Sequence, residues 1–141
     1  MIAKILSLCI PVSLAGCATY REPVYPPIAH LSVLGSAGYV SVGYSGQCGE
    51  MHTVPSEIQE NFKIRGETTV YLSTNPNGPH SPACTGALSF KAQSGSQYQI
   101  YAAIIGQGEC AAILRKRNFD NSPWQPDPSL KILERVRCSP W

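Results

Sequence analysis

Regular alternation of apolar and polar residues is clearest between residues 88 and 104. Single polar residues separate Leu88 from Phe90 and Phe90 from Ala92, and the same two-residue period continues from Tyr98 to Ile104. A period of two is typical of a β-strand with one buried face, because successive side chains of a strand point to opposite sides. A glycine-containing turn sequence at residues 94–96 separates the two segments. The pattern therefore predicts a hairpin with one face in the core.

The first half of the chain carries the same period less regularly. Leu31 and Val33 precede a glycine-rich turn, and Val40 and Val42 follow it, so a first hairpin with both valines turned inward is expected. Further along, acidic residues follow Pro55. Proline suits the first position of a helix and carboxylates suit its N-terminal dipole, so one helical turn is expected there.

The remaining strands are interrupted by glycine or proline. Residues 62–73 predict one strand that breaks near Gly66, with Val70 and Leu72 on either side of Tyr71 in the alternation. Twelve glycines, twelve prolines and a 14% share of charged residues fit short strands joined by turns better than helices. About seven such strands predict an all-β fold, an antiparallel two-sheet β-sandwich, with a small open β-barrel as the alternative.

The first sixteen residues have the character of a secretory signal. Lys4 precedes an apolar run at residues 5–12 that is too short to span a bilayer. The sequence Leu14-Ala15-Gly16-Cys17 resembles the bacterial lipobox. The resemblance implies a diacylglycerol on the Cys17 sulfur, cleavage after Gly16 and acylation of the new N-terminus. An ordinary cleaved signal with a chance cysteine is the alternative.

The lipobox resemblance also places the protein in the cell. Ala18 follows the cysteine where aspartate would signal retention, which implies the bacterial outer membrane and a domain that faces the periplasm. Residues 17–29 contain three prolines and two tyrosines without an apolar period, so they predict a lipidated, extended tether of about 30 Å. Residues 30–141 are the predicted β-sandwich domain, with membrane lipid and an envelope protein as the expected partners.

The net charge of the mature chain argues against a nucleic-acid ligand. The eleven basic and nine acidic side chains become ten and nine once Lys4 leaves with the leader. Such a balance produces no general positive field to attract a polyanion.

Four cysteines remain in the domain after the leader and the lipidated position are set aside. An even number in an oxidising compartment predicts two disulfides. Pairing of the last two predicted strands, residues 110–117 and 130–138, in a register whose numbers sum to about 248 would place Cys110 opposite Cys138. Opposed β-carbons lie about 5 Å apart, close to what a disulfide needs. We therefore expect a Cys110–Cys138 bond and, by elimination, a Cys48–Cys84 bond.

The segment from Cys84 to Cys110 resembles the mature domains of small bacterial lipoproteins. The shared features are the two cysteines, a strand that ends in Phe90, and a Gly-x-x-Tyr hairpin at residues 95–98. The resemblance covers about a quarter of the chain and implies an architecture without an activity.

One set of residues has the composition of a metal site. Cys48 and His52 mirror His80 and Cys84 in spacing, and two sulfurs with two imidazoles suit tetrahedral zinc, although oxidation of these thiols is the more ordinary outcome.

No Gly-x-Ser-x-Gly sequence and no histidine with an evident orienting acid is present, so the sequence predicts no enzyme and no cofactor.

The turn sequence at residues 94–98 carries a second resemblance. Ser94-Gly95-Ser96-Gln97-Tyr98 is similar to the Ser-Gly-x-x-Tyr motif of membrane-bound inhibitors of c-type lysozyme. By that likeness Ser94 and Tyr98 would contact the lysozyme cleft. The second motif of those inhibitors is absent at residues 106–108. A turn glycine followed by a core tyrosine is the plainer interpretation.

Basic residues concentrate in the last two predicted strands. Residues 115–117 are Arg-Lys-Arg, and Lys131, Arg135 and Arg137 follow. Such a cluster favours an anionic lipid or glycan, or else protects an edge strand against pairing.

The leading expectation for the domain is a non-catalytic structural or protein-binding module, with its site at a loop end near Cys48, His52 and Cys84.

Overall fold

The computed structural model describes residues 18–34, 39–46, 48–75, 87–105, 109–119 and 121–133. Ten strands lie in these ranges, in two five-stranded sheets, and this confirms the predicted two-sheet β-sandwich. Sheet I has the order β4-β1-β7-β8-β9 and sheet II the order β10-β6-β5-β2-β3. The strands are β1 Ile28–Leu34, β2 Tyr39–Gly43, β3 Met51–Thr53, β4 Phe62–Arg65, β5 Thr68–Asn75, β6 Ala87–Ala92, β7 Ser96–Ile105, β8 Glu109–Asn118, β9 Gln125–Pro126 and β10 Lys131–Leu133. The β1–β7 pair is parallel, and the other strand pairs of these sheets are antiparallel.

The predicted alternation describes the core correctly. Val40, Val42, Val70 and Leu72 are all fully buried between the sheets. The rings of Phe90 and Tyr98 meet across the core at a tilt of 46°, with their centroids 5.1 Å apart. Removing this apolar surface from water is the main driving force for bringing the sheets together.

Several pairs of consecutive strands are divided between the sheets, so both predicted hairpins are wrong, and the strand predicted over residues 62–73 is two strands of opposite sheets. β1 lies in sheet I and β2 in sheet II, β4 lies in sheet I and β5 in sheet II, and β6 and β7 are divided in the opposite direction. The alternation specifies which side chains face the core, but two strands that cover the same core from opposite sheets carry the same pattern as two paired strands. A single helical turn does form as predicted, as the 3₁₀ helix Ser56–Ile58 directly after Pro55.

The predicted register of the last two strands is also wrong. β10 pairs with β6 in sheet II, where Lys131 lies opposite Ser89, while β8 in sheet I is flanked by β7 and β9. Ile132 on β10 is 58% exposed. The Cys110–Cys138 bond loses the register argument that supported it and stays a prediction.

The disulfide pairings themselves lie outside the described residues. Cys48 is disulfide-bonded. The side chains of Cys84, Cys110 and Cys138 are not among those described, and neither is Cys17.

The segment before β1 is part of the sandwich, which corrects the prediction of a free tether over residues 17–29. The Ala18 carbonyl accepts a hydrogen bond from the Thr53 amide, and the Tyr20 amide donates to the Thr53 carbonyl. Tyr20 and Ala29 are both buried in the core. The domain therefore begins at Ala18 within the described chain, twelve residues before the predicted boundary at residue 30.

Candidate functional site

Tyr20 joins the two sheets at one edge of the sandwich. Its segment runs beside β3 of sheet II, while its ring meets Phe62 of β4 edge-on at a centroid distance of 5.6 Å. The Tyr20 hydroxyl donates to the Lys63 carbonyl at 2.8 Å, and it therefore accepts the hydrogen bond from the Tyr44 hydroxyl at 2.7 Å. The Tyr44 oxygen accepts in turn from the Arg65 amide at 3.1 Å.

Side chains thus satisfy three outward backbone groups of β4, the edge strand of sheet I. Glu22 accepts from the Lys63 amide at 2.6 Å, in addition to the two tyrosines at Lys63 and Arg65. An edge strand with free amides and carbonyls is a template for unwanted pairing. Burial, followed by the hydrogen bond from Tyr44, raises the pKa of Tyr20 well above its usual value of about 10. The hydroxyl therefore stays a donor to the Lys63 carbonyl even in alkaline solution.

A cavity of about 740 Å³ opens beside this edge. Residues 18–25 form one wall, and Tyr44, His52 and Arg65 form the other. The Arg65 guanidinium lies over the Tyr44 ring, 4.8 Å from its centroid. His52 Nε2 lies 3.4 Å from a Glu50 carboxylate oxygen. His52, one of the residues around which the loop-end site was predicted, therefore lines a cavity.

The outer face of sheet I carries the second candidate site, which we call the basic face. The strand registers align Lys63, His30, Gln97 and Arg117 in one row across β4, β1, β7 and β8. The next row outward along these strands contains Ser32, Gln99 and Arg115. Arg65 lies at the opposite end of β4 from Phe62, on the same exposed face as Lys63. Among the described outward side chains of these strands four are cationic and none is acidic.

Arg117 is held in a fixed orientation on the basic face. Its Nε donates to Gln97 Oε1 at 2.6 Å, and its guanidinium stacks on the Trp124 ring at 4.5 Å from the centroid. His30 is oriented as well, by an edge-on contact with Phe119 at 4.8 Å and by a 3.3 Å hydrogen bond between Nδ1 and Asn61 Oδ1. A guanidinium restrained at Nε and on one π-face presents its terminal nitrogens to an acidic group with little further loss of entropy.

An apolar depression adjoins these charges at the far end of the same face. Leu34, Tyr101 and Ile113 line up across β1, β7 and β8, and together with Gln99 and Arg115 they enclose about 200 Å³. Tyr101 is 52% exposed and Ile113 is 55% exposed. An exposed tyrosine beside arginine is the composition that binding hot spots favour.

Ser94 and Tyr98, which the inhibitor resemblance places at a contact with lysozyme, do not lie on one exposed surface. Ser94 is exposed in the turn, whereas Tyr98 is 1% exposed and lies in the core. The Tyr98 hydroxyl accepts from the Gln93 amide at 2.8 Å and donates to the Lys91 carbonyl at 3.3 Å. Tyr98 therefore stabilises the crossing from β6 to β7, as the plainer interpretation of a core tyrosine expects.

The alternative zinc site lies only partly within the described residues. Cys48 is oxidised in a disulfide, so its sulfur is not a free thiolate ligand. His80 and Cys84 lie outside the described residues. No group of three or more His, Cys, Asp and Glu side chains that could hold a metal ion occurs within the described ranges.

The predicted basic cluster of the last strands is divided between the sheets. Arg115 and Arg117 are on the outer face of sheet I, Lys131 is on β10 of sheet II, and residues 135 and 137 are outside the described chain. Lys116 lies between the two arginines on β8, and its ammonium donates to Gln93 Oε1. Sequence reasoning missed Lys63, His30, Gln97 and Trp124 as their neighbours, because only strand order brings these distant residues together.

No protein-family model, curated protein or solved structure matches this chain. Within the described residues, no helix has the length and apolar character needed to cross a membrane.

Proposed function

We propose that this protein is a lipid-anchored component of the bacterial outer membrane whose periplasmic β-sandwich is a non-catalytic protein-binding module. Support for the anchor comes from the sequence Leu14-Ala15-Gly16-Cys17 directly before the first described residue of the domain. The Ala18 carbonyl already takes part in the fold, which is compatible with a mature chain that begins at Cys17.

One observation supports the binding role above the others. Arg117 is held between Gln97 and Trp124, in a row without a described acidic side chain. Cations concentrated on one face of a nearly neutral chain are the arrangement expected of a surface that recognises an acidic partner.

The partner that fits best is a protein with an acidic surface and a protruding apolar side chain. Carboxylates would pair with Arg115 and Arg117, and the apolar side chain would enter the depression between Leu34, Tyr101 and Ile113. A second copy of this chain fits poorly, because it would bring two sets of cations together.

Charge reversal on matched faces tests the binding role. The Lys63→Glu/Arg115→Glu double variant changes two exposed cations of the basic face, and Lys91→Glu/Lys131→Glu makes the same net change on the exposed face of sheet II. We expect the first variant to lose partner copurification at least tenfold and the second to retain it. An equal loss of copurification in both variants would show that the basic face is not the binding surface.

Salt provides a second measurement of the same contact. Binding that depends on exposed charges should weaken as the ionic strength rises, because the screening length falls from about 10 Å at 0.1 M to about 3 Å at 1 M. Copurification that is unchanged over that range would contradict an electrostatic partner surface.

The anchor is tested separately by mass spectrometry. We expect the N-terminal peptide of the mature protein to begin at Cys17 and to carry diacylglycerol and a third acyl chain, which together give stable membrane attachment. Cys17→Ser prevents acylation and should release the protein from the membrane fraction. An unmodified Cys17 in the wild-type protein would refute the lipid anchor without affecting the binding test.

A further inference from the structure

The cavity beside Tyr20 opens next to the position at which the proposed lipid is attached. Its exposed side chains include Arg21, Val24, Tyr25 and Arg65, which we call the anchor-side surface. Val24 is 77% exposed and Tyr25 is 81% exposed. Val24 and Tyr25 are not part of the basic face.

The proposed lipid attachment site directly precedes the folded part of the chain. The Ala18 carbonyl is hydrogen-bonded to the Thr53 amide at 3.1 Å, and the Tyr20 side chain is buried two residues later. Only Cys17 itself lies between the acyl chains and Ala18, and one residue spans at most about 3.6 Å. The edge of the sandwich at Ala18 must therefore lie close to the surface of a bilayer in which the acyl chains of Cys17 are inserted.

We propose that the anchor-side surface rests on the lipid headgroups of that bilayer, an inference that depends on the lipid anchor proposed above. Tyrosine suits the boundary between acyl chains and water, because its ring is apolar and its hydroxyl stays hydrated. Val24 adds an exposed apolar side chain next to it in the sequence.

The charges of the surface fit anionic phosphate. Arg21 and Arg65 line the cavity, and guanidinium groups form paired hydrogen bonds with phosphate oxygens. Of the nearby acids, Glu22 has one carboxylate oxygen occupied by the Lys63 amide, and Glu50 has one near His52. Basic residues near an anionic leaflet contribute attraction within about a Debye length of the surface.

This contact would keep the apolar depression of the basic face clear of the membrane. Ile28, opposite Arg65, begins β1 beside the anchor-side surface, and Leu34 ends the same strand six residues further on. Six residues of extended strand cover about 20 Å. Tyr101, which lies opposite Leu34, is consequently an internal reference for the solvent-exposed part of the domain.

Hydroxyl-radical labelling of the acylated wild-type protein in vesicles tests the contact. The vesicles contain phosphatidylethanolamine and phosphatidylglycerol, and mass spectrometry compares the labelling rates of Tyr25 and Tyr101 in the same sample. Tyr25 has the larger exposed fraction in the structure, so without a membrane contact it should react at least as fast as Tyr101. We expect Tyr25 to react several times more slowly.

The outcomes separate this inference from the anchor on which it depends. Equal labelling of Tyr25 and Tyr101 in protein that is acylated at Cys17 overturns the membrane contact and leaves the anchor in place. An N-terminal peptide without acyl chains refutes the anchor and the contact together.

A charge variant tests the proposed phosphate contact. Arg21→Glu should raise the labelling rate of Tyr25 in the same vesicles, whereas Lys131→Glu on sheet II should leave that rate unchanged. An unchanged rate in Arg21→Glu would contradict the role given to this guanidinium.

Discussion

The phenolic oxygens of Tyr20 and Tyr44 lie 2.7 Å apart, and together they link the Arg65 amide to the Lys63 carbonyl on the edge of sheet I. Tyr20 lies only three residues from Cys17. A segment with the composition of a linker is thus fastened to both sheets, and the proposed lipid and the core of the domain share one short stretch of backbone.

Removing the Tyr20 hydroxyl should measurably destabilise the domain. Tyr20→Phe keeps the ring against Phe62 but leaves the Lys63 carbonyl and the Tyr44 hydroxyl without their partner. Loss of a buried hydrogen-bond partner costs about 1–3 kcal/mol. Chemical denaturation should show that decrease for Tyr20→Phe and almost none for the control Tyr25→Phe, whose side chain is exposed. Equal stability of the two variants would contradict the structural role of Tyr20.

The free energy of unfolding should fall as the pH rises above about 10, the usual pKa of tyrosine in an unfolded chain. Burial raises the pKa values of both Tyr20 and Tyr98 in the folded protein. Above pH 10 the unfolded chain releases these protons while the folded protein keeps them, so alkali favours unfolding. A tyrosine that keeps its proton in the folded protein and loses it in the unfolded chain contributes at most about 1.4 kcal/mol per pH unit to this decrease.

The same titration measures the contribution of Tyr20. Tyr20→Phe should make the alkaline decrease in stability shallower than it is in the wild-type protein. Denaturant midpoints measured from pH 8 to pH 11.5 provide the comparison. A wild-type stability that increases over this range would mean that the two hydroxyls are not protected by the fold.

Tyr98 and Ser94 should behave differently on substitution. Tyr98→Phe removes the acceptor of the Gln93 amide at the crossing between the sheets and should cost about 1–3 kcal/mol of unfolding free energy. Ser94→Ala changes an exposed turn side chain and should cost less than about 0.5 kcal/mol. Thermal and chemical denaturation of the two variants would test this, and a larger cost for Ser94→Ala would contradict the assignment.

The fold class and the inward residues follow from the sequence, whereas the strand pairing does not. Val40, Val42, Val70 and Leu72 are inward as their two-residue period predicts, because burial depends on which face of a strand is apolar. The partner of β6 depends on whether the turn at Gly95 folds back within a sheet or crosses to the other sheet. Gly95 adopts a φ of 74°, which is compatible with a tight turn, but this local property does not specify the sheet that receives β7.

The candidate sites were predictable only in part. The motif at Cys17 and the arginines of residues 115–117 are visible as short sequences, but the basic face needs Lys63 and Arg117, which are far apart in the chain. The strand order β4-β1-β7-β8 brings these residues into one row. Tyr20 was missed for a related reason, since a lone tyrosine among prolines has no periodic signal and its burial depends on the gap between two sheet edges.

Site-specific photocrosslinking in the intact envelope tests the central claim most directly. A photoreactive residue in place of Ile113 reports on the basic face, and the same residue in place of Ile132 reports on sheet II at a nearly equal exposure of 58%. We predict that position 113 crosslinks to an acidic protein, that position 132 does not, and that Lys63→Glu/Arg115→Glu abolishes the product. Crosslinking of the same protein from position 132 alone would contradict the account, because the binding surface would then lie on the opposite sheet.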